Sequence, residues 1–414
     1  MRKVFSIIFL LLCSAFLWAE ISFSGYAGIK GDFSSSKEDT FEPALCFQTY
    51  FAGQLNITKR LLLRTEFSMQ TADIVDKGPF VSTDAKFCID ELSVTYVKPF
   101  LGHVQYFNLF LGTYEPIGSD VFLQRQFGVQ SFTSLITESW LGLKGSTAYP
   151  FYGAGGSYIL HLGTAPIATG AFLYVNRENS EDERQLNLDW RFGTVLPWLS
   201  LDFAIGLGAP MGTKRGDEKV ILLIDTLYLH TGLTMLLGNK YSTSLFFQGG
   251  FANMPLHSGE NANKIESRDI YLLVEPRFVS RKFQTHITFF SVPENTVEKL
   301  IFVENTMGLN LSVFTNDLYI KNTNIQFGFH VTWTVTDKVT DKSIAQDINK
   351  NFLDLKDPLY IIKDCDHHVK ISPFVSFPLL SGTMHAMLQA RVTDMKSETW
   401  AKAFKLSVGY KVRL

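Results

Sequence analysis

The side chains that could do chemistry in this chain are charged groups at alternate positions of short apolar segments. In one such segment Asp189 and Arg191 alternate with Leu188, Trp190 and Phe192. Successive side chains of a β-strand point to opposite faces, so each such segment has one apolar face and one charged face. Carboxylates and guanidinium groups on a shared face can pair with each other or bind polar solutes and ions. The sequence therefore predicts a polar wall rather than a single reactive centre.

Enzymatic and metal chemistry find little support in the sequence. It contains no G-x-S-x-G, no H-E-x-x-H, no phosphate-binding glycine loop and no paired C-x-x-C. The one metal-like cluster is Asp364, Cys365, Asp366, His367 and His368, and consecutive ligands on a loop are poor geometry for a metal site. We predict that the chain is not an enzyme and holds no metal or cofactor. A formal net charge of −2 leaves no basic field to recruit nucleic acid.

The period-two pattern recurs along almost the whole chain and predicts an all-β fold. It is clearest over residues 61–70, 186–193, 199–208, 324–333 and 384–393. Charged residues make up 19% of the chain, below the roughly 25% of soluble domains.

The connections between these segments alternate in length. We predict short ones near Thr58–Arg60, Pro99–His103, Gly163–Ile167, Pro197–Trp198, Gly238–Lys240, Ser280–Arg281, Thr315–Leu318 and Leu379–Gly382. We predict long ones near Ser34–Pro43, Ala72–Lys86, Glu115–Pro150, Glu178–Arg184, Pro210–Lys219, Asn253–Ser267, Pro293–Leu300, Val335–His367 and Asp394–Trp400. If both ends of the chain lie on the short-turn side, the strand number is even. The count is about eighteen, with sixteen as the alternative.

Three assignments complete this count. Glu138–Gly145 is strand-like but is assigned to the long loop, because the alternation leaves room for one strand there. Val220–Leu237 is apolar on both faces and is interpreted as a strand, since a central Asp and His would be costly in a membrane helix. Apolar residues recur at helical spacing in Ser343–Lys356, which predicts a short helix within the loop 335–367.

The N-terminus has the features of a secretory signal peptide. Arg2 and Lys3 precede the apolar run Val4–Leu17, and Ala19 precedes the expected cleavage point. We predict removal of residues 1–19 and a single domain over 20–414. The remaining cysteines, Cys46, Cys88 and Cys365, cannot form a complete disulfide framework.

The last segment, AKAFKLSVGYKVRL, resembles the C-terminal signal of outer-membrane β-barrels. Ser407, Gly409, Val412 and Leu414 occupy the positions of its polar residue, its glycine and its two final apolar residues. The resemblance implies a transmembrane antiparallel up-and-down β-barrel in the outer membrane of a diderm bacterium, with short periplasmic turns and long extracellular loops. It also implies outer-membrane lipids, periplasmic chaperones and the barrel-assembly machinery as partners. A homotrimer, the assembly of many porins, is left open.

About eighteen strands would enclose a lumen too wide for side chains to fill. The predicted lumen wall carries both charge signs: Arg64, Glu66, Glu91, Asp189, Arg191, Asp202, Glu275, Arg277, Lys370, Arg391, Lys405 and Lys411. The loop Glu115–Pro150 resembles, in position and length, the third loop of porins, which folds inward to form a constriction. On that resemblance the constriction residues are Glu115, Asp120, Arg125 and Glu138, held by Phe122, Phe127, Phe132 and Trp140. Acidic loop residues facing basic wall residues would then set a transverse field; a surface loop over the barrel mouth is the alternative.

The leading functional hypothesis is a porin-like channel for passive diffusion of small hydrophilic solutes. A second is a hydrophobic-substrate transporter resembling the fatty-acid importers, although their N-terminal hatch is missing because the first predicted strand is Ile21–Asp32. A third is a surface adhesin or receptor that binds through loops 115–150 and 335–367. A soluble secreted β protein is the alternative outside the membrane.

Overall fold

The structure, a computed structural model, describes residues 21–76, 78–81, 85–138, 140, 145–149, 151–176, 184–211, 214–215, 218–219, 222, 227–256, 270–297, 300–316, 318–320, 323–337, 365–395 and 399–414. Within these residues most of the chain is strand.

Eighteen long strands follow one another along the chain. They are β1 Ser22–Ser35, β2 Pro43–Thr58, β3 Leu61–Gln70, β4 Lys86–Phe100, β5 His103–Gly112, β6 Gly153–His161, β7 Ile167–Asn176, β8 Arg184–Leu196, β9 Leu199–Met211, β10 Tyr228–Gly238, β11 Ser244–Pro255, β12 Ile270–Val279, β13 Phe283–Ser291, β14 Met307–Thr315, β15 Thr323–Asp337, β16 Cys365–Leu379, β17 Gly382–Arg391 and β18 Phe404–Arg413. Short additional pieces are the hairpin Lys214–Arg215 with Glu218–Lys219, the strand Leu318–Ile320, and the helices α1 Val121–Phe127 and α2 Glu294–Val297.

Each strand pairs antiparallel with its sequence neighbours, and β18 pairs with β1 from Tyr26↔Arg413 to Ser34↔Lys405. This last pairing closes the sheet, so the predicted eighteen-strand up-and-down barrel is confirmed. Closure leaves no unpaired sheet edge, the condition that a β protein must meet in hydrocarbon.

The strand predicted over Val220–Leu237 is described from Tyr228, where β10 begins, and residues 220, 221 and 223–226 of that prediction lie outside the described residues. The predicted signal peptide 1–19 and the predicted helix Ser343–Lys356 lie outside the described residues.

The polarity of the barrel is the reverse of that of a soluble protein. Leu109 and Leu188 on the outer face are 70% and 58% exposed, whereas Glu91 and Arg191 on the inner face are 0% and 2% exposed. Large apolar side chains cover the exterior, including a ladder of stacked rings from Phe23 across β2 and β3 to Phe87. An apolar outer band around a charged interior is the arrangement that lipid requires. Among the described residues, no helix is long and apolar enough to cross a bilayer.

The outer face predicts a position-dependent effect of added charge. Leu109→Arg, near the middle of β5, should lower the free energy of unfolding in lipid vesicles by about 2–4 kcal/mol, because it places a cation near the bilayer midplane. Leu380→Arg, in the turn after β16, makes the same substitution outside the hydrocarbon and should cost below about 1 kcal/mol. Denaturant titration of both variants in vesicles measures the difference, and equal losses would contradict the assigned lipid face.

Candidate functional site

The loop between β5 and β6 folds into the barrel. Where the chain leaves β5, Glu115 adopts a left-handed backbone with φ of 46°. An isolated bridge between Ile117 and Tyr149 then brings the two ends of the loop together. Between these ends α1 packs against β8 and β9 on their charged face. The loop therefore occupies the lumen rather than the outside of the barrel mouth.

Arg191 of β8 fastens the first part of this inner loop. Its guanidinium group binds the Asp202 carboxylate of β9 at 2.9 and 2.5 Å. It also donates to the backbone carbonyls of Glu115 and of Pro116, the latter at 3.2 Å, and lies over the Phe122 ring. One buried cation thus satisfies a wall carboxylate and the loop backbone together.

Arg277 of β12 repeats the arrangement at the far side of the loop. It donates to Glu275 at 2.8 Å and to the carbonyls of Phe132 and Thr133 at 2.8 and 3.1 Å. Its guanidinium group lies 4.8 Å from the centre of the Phe246 ring. The wall holds this segment of the loop by backbone atoms, which any loop sequence of the right shape supplies.

Arg125 reverses these roles, since the loop supplies the cation. It lies 2.7 Å from Glu91 and 3.8 Å from both Glu66 and Glu115. Burial opposes the charge on Arg125, but the carboxylates of Glu91 and Glu115 outweigh burial and raise the pKa of Arg125. Burial also raises the pKa of Glu115. Arg125 therefore locks α1 to the wall at β3 and β4.

Asp120 organises the loop internally. Its carboxylate accepts from the Phe132 backbone N–H and the Gln124 amide, both at 2.8 Å. Burial raises the pKa of Asp120, against the opposing effect of these two donors. The carboxylate thereby ties the start of α1 to the segment that Arg277 holds.

Close backbone approach adds to the ionic contacts. A Cβ atom built on Gly232 of β10 would lie 2.6 Å from the backbone nitrogen of Gly118, which itself has φ of 72°. Phe122, Leu123 and Ile136 are fully buried between loop and wall. Packing at this density makes the inner loop a fixed part of the lumen.

Trp140 of the inner loop packs against β18, the last strand of the barrel. A Cβ atom on Gly409 of β18 would lie 2.1 Å from the Trp140 ring, so the glycine provides the slot that the indole fills. The ring centroid is 5.4 Å from that of His385 on β17. Lys411 approaches the Trp140 carbonyl at 3.5 Å.

A cavity of about 880 Å³ remains beside the inner loop. It lies against β1 and β14–β18 and is bounded on another side by Val297 and by the segment Leu300–Glu304, which also turns into the lumen. Burial opposes the ionisation of Glu304 in this segment, but Lys370 and Arg391 outweigh burial and lower its pKa. The charged side chains that line the cavity are Lys30, Asp32, Glu138, Glu304, Lys370, Arg391 and Lys405.

The predicted constriction residues separate into two groups. Glu115, Asp120 and Arg125 lie buried between loop and wall and do not line the cavity. Glu138 is exposed and lines the cavity. The first three lie away from the cavity because the aromatic side chains around them pack the loop tightly against β3–β12.

All the predicted lumen-wall residues lie on strands, and their exposure depends on the inner loop. Those buried are Glu66, Glu91, Asp189, Arg191, Asp202, Glu275, Arg277 and Lys370; those half-buried are Arg64, Arg391, Lys405 and Lys411. Sequence reasoning missed Lys30, Asp32 and Glu304. Alternation along β1 could have indicated Lys30 and Asp32, whereas nothing in the loop sequence marks Glu304.

The predicted assembly residues lie on or beside β18. Ser407 donates to Asp32 at 2.6 Å, and Gly409 receives Trp140. Val412 pairs with Ala27, and Leu414 is 49% exposed. Within the described part of the chain, no group of three His, Cys, Asp or Glu side chains is arranged to hold a metal ion; Asp364 of the metal-like cluster lies outside that part.

The closed barrel, its apolar exterior and its charged, partly open lumen define an outer-membrane β-barrel of porin-like architecture. No protein-family model matches the chain, and no curated protein matches it in sequence.

Solved outer-membrane proteins are similar to the chain at low sequence identity. A triple mutant of the Rhodopseudomonas blastica porin is 8% identical, with 95% of this chain and 100% of the porin covered at a TM-score of 0.46. Wzi of Escherichia coli, an outer-membrane protein involved in group 1 capsule assembly and a carbohydrate-binding β-barrel, is 10% identical, with 97% and 86% covered at 0.47. OmpT, an outer-membrane protein of Vibrio cholerae, is 8% identical, with 95% and 97% covered at 0.38. The assignment to outer-membrane β-barrels rests on the closure of this barrel and on its apolar exterior and charged interior.

The Arg191 anchor predicts a large stability effect. Arg191→Met should lower the free energy of unfolding by about 3–5 kcal/mol, because Asp202 is left buried without its cation. The double variant Arg191→Met/Asp202→Leu should recover most of this loss, since it removes both charges. Denaturant titration compares the two, and a double variant as unstable as the single one would contradict the ion-pair explanation.

The contact between Trp140 and Gly409 predicts that substitution of either residue has the same effect on conductance. Gly409→Ala should displace the indole and increase single-channel conductance by about as much as Trp140→Ala, and the double variant should add little, because the two residues act through one contact. If Gly409 instead serves barrel assembly, Gly409→Ala alone will lower the yield of inserted barrel. Insertion yield and conductance, measured together, separate the two roles.

Proposed function

We propose that the protein is an outer-membrane channel for passive diffusion of small hydrophilic solutes. The observation that carries this proposal is the cavity of about 880 Å³ lined by charged side chains inside a closed barrel. The inner loop fills the lumen along β3–β12 and leaves the side of β1 and β14–β18 open. Such a wall replaces part of a solute's hydration while keeping the surroundings aqueous.

The chemistry of the cavity favours this over the fatty-acid alternative. Lys30, Asp32, Glu138 and Arg391 lie on its surface, where an alkyl chain would have to pass desolvated charges. Burial of ionic groups against an apolar solute is costly, whereas a hydrated solute leaves them in water.

We also infer that the protein is not an enzyme. Among the described residues the closest His–carboxylate pair is His230 with Asp189, at 2.7 Å, and it lies beneath the Tyr149 ring, 4.2 Å from the imidazole. His286 and Glu275 form a second buried pair at 3.2 Å, and His368 and Asp394 are 3.7 Å apart. His230 is 0% exposed, so a solute in the cavity does not reach it. Through its stacking on Tyr149, the His230–Asp189 pair holds the C-terminal end of the inner loop against the wall.

Conductance of the refolded protein in a planar bilayer tests the proposal. The wild type should give stepwise ohmic openings, and deletion of residues 118–148 between the ends of the inner loop should raise their size roughly twofold, because the loop fills part of a lumen wide enough for an aqueous channel. Deletion of the short exposed connection Ser36–Glu42, which does not line the cavity, is the control and should leave conductance unchanged. A folded, inserted wild type that does not conduct, while the loop deletion does, would show that the loop is a plug.

A further inference from the structure

Two carboxylates on the cavity wall are each shared by two cations. Glu304 binds both Lys370 and Arg391, the latter at 2.7 Å. Asp32 lies 3.2 Å from Lys30 and 3.3 Å from Lys405. Each group therefore carries one positive charge more than its carboxylate neutralises.

The two groups form one row across neighbouring strands, here named the basic row: Lys370, Arg391, Lys405 and Lys30. In the sheet register Lys370 of β16 pairs with Arg391 of β17, and Lys405 of β18 pairs with Gln389 of β17. Gln389 also lies 3.3 Å from the Lys370 ammonium group. Lys30 of β1 pairs with Gly409, four residues along β18 from Lys405, so the basic row runs diagonally over the wall rather than straight across it. Adjacent strands are about 4.8 Å apart, and the row crosses four strands from β16 to β1.

The basic row is accessible at two of its four residues, Arg391 and Lys405, whereas the side chains of Lys30 and Lys370 are 25% and 9% exposed. The side chains of Arg391 and Lys405 are 38% and 43% exposed. Those of Arg125, Arg191 and Arg277 are 7%, 2% and 3% exposed and are held by carboxylates and loop carbonyls. A solute in the cavity therefore meets the excess positive charge of the row.

Beside the row, a column of stacked rings lines the same cavity. Phe302 and His330 stack at 4.0 Å, His330 and Phe374 at 4.9 Å, and Phe374 and His385 at 5.6 Å. Trp140 of the inner loop continues the column beyond His385. Neighbouring rings cover one another's faces, so the column offers an apolar side to a bound molecule.

We propose that the cavity selects small organic carboxylates, with the carboxylate on the basic row and the apolar body against the ring column. This inference rests on the proposed channel function and names its solute class. Exposed cations with excess charge attract the anion, and the ring column favours one with an apolar part over a bare inorganic ion.

Benzoate is the probe, and benzamide is its uncharged control of the same shape. Reversal potentials across a salt gradient give the anion-to-cation permeability ratio, and ligand-observed NMR on the detergent-refolded barrel gives benzoate binding without requiring conduction. The variants are Arg391→Gln and Lys405→Gln. Arg281→Gln, in the exposed turn after β12, removes the same charge away from the cavity and is the matched control.

The wild type should favour anions and bind benzoate more tightly than benzamide. Each cavity variant should lower the permeability ratio and the benzoate affinity roughly fourfold, as expected for one charge removed at about 5 Å in water-like surroundings. Arg391→Lys, which keeps the charge, should retain most of both properties. Heat-modifiable gel mobility checks that each variant is folded.

The outcomes separate this inference from the channel proposal. A conducting barrel without anion preference, or one in which the cavity variants behave like Arg281→Gln, overturns the solute class and leaves the channel standing. A folded barrel that does not conduct but binds benzoate through the basic row overturns the channel and supports the site. A barrel that neither conducts nor binds benzoate overturns both.

Discussion

The need to pair every backbone hydrogen-bonding group within the bilayer governs this structure. A sheet meets that requirement only when its first and last strands join, as β1 and β18 do here. Closure then fixes the polarity of both faces, because every second residue must contact lipid. The charged side chains are left with one place to go, the lumen, and their number there is a consequence of the outer surface.

Charged side chains crowded on the inner face must have ion-pair or hydrogen-bond partners wherever they are buried, and the inner loop supplies such partners. Arg191 and Arg277 would each leave desolvated hydrogen-bond donors if they paired with a wall carboxylate alone. By accepting from these donors, loop carbonyls turn isolated ion pairs into satisfied networks, the condition under which buried charges are tolerated. On the opposite side of the lumen the covering segment supplies a carboxylate instead, Glu304, which Lys370 and Arg391 share, and the side chains of Arg391 and Lys405 stay open to water. The same barrel therefore uses its charges in two ways, for packing on one side and at an accessible surface on the other.

Much of the fold could be predicted from the sequence, because strand periodicity and loop length are local signals. The alternation around Asp189 and Arg191 identified the inner face, and the length of the Glu115–Pro150 segment marked the unusual loop. The site was predicted less well. Whether Glu115 or Glu138 meets the cavity depends on how Phe122 and Ile136 pack, which is a property of residues distant in sequence. The role of Glu304 at the cavity depends on its ion pairs with Lys370 and Arg391, and a single sequence does not show such pairings.

The contact between Trp140 and Gly409 joins an early loop of the chain to its last strand. The loop that carries Trp140 follows the fifth strand, whereas its slot belongs to the eighteenth, and the Lys411 contact beside it spans 271 residues of sequence. A contact this distant forms late, because the intervening chain must be ordered first. The Trp140 side chain therefore has no slot to fill until β18, which carries Gly409, has joined the barrel. Trp140 is therefore the part of the inner loop whose position depends on completion of the wall, whereas Arg125, Arg191 and Arg277 hold the rest of the loop to strands that precede β18.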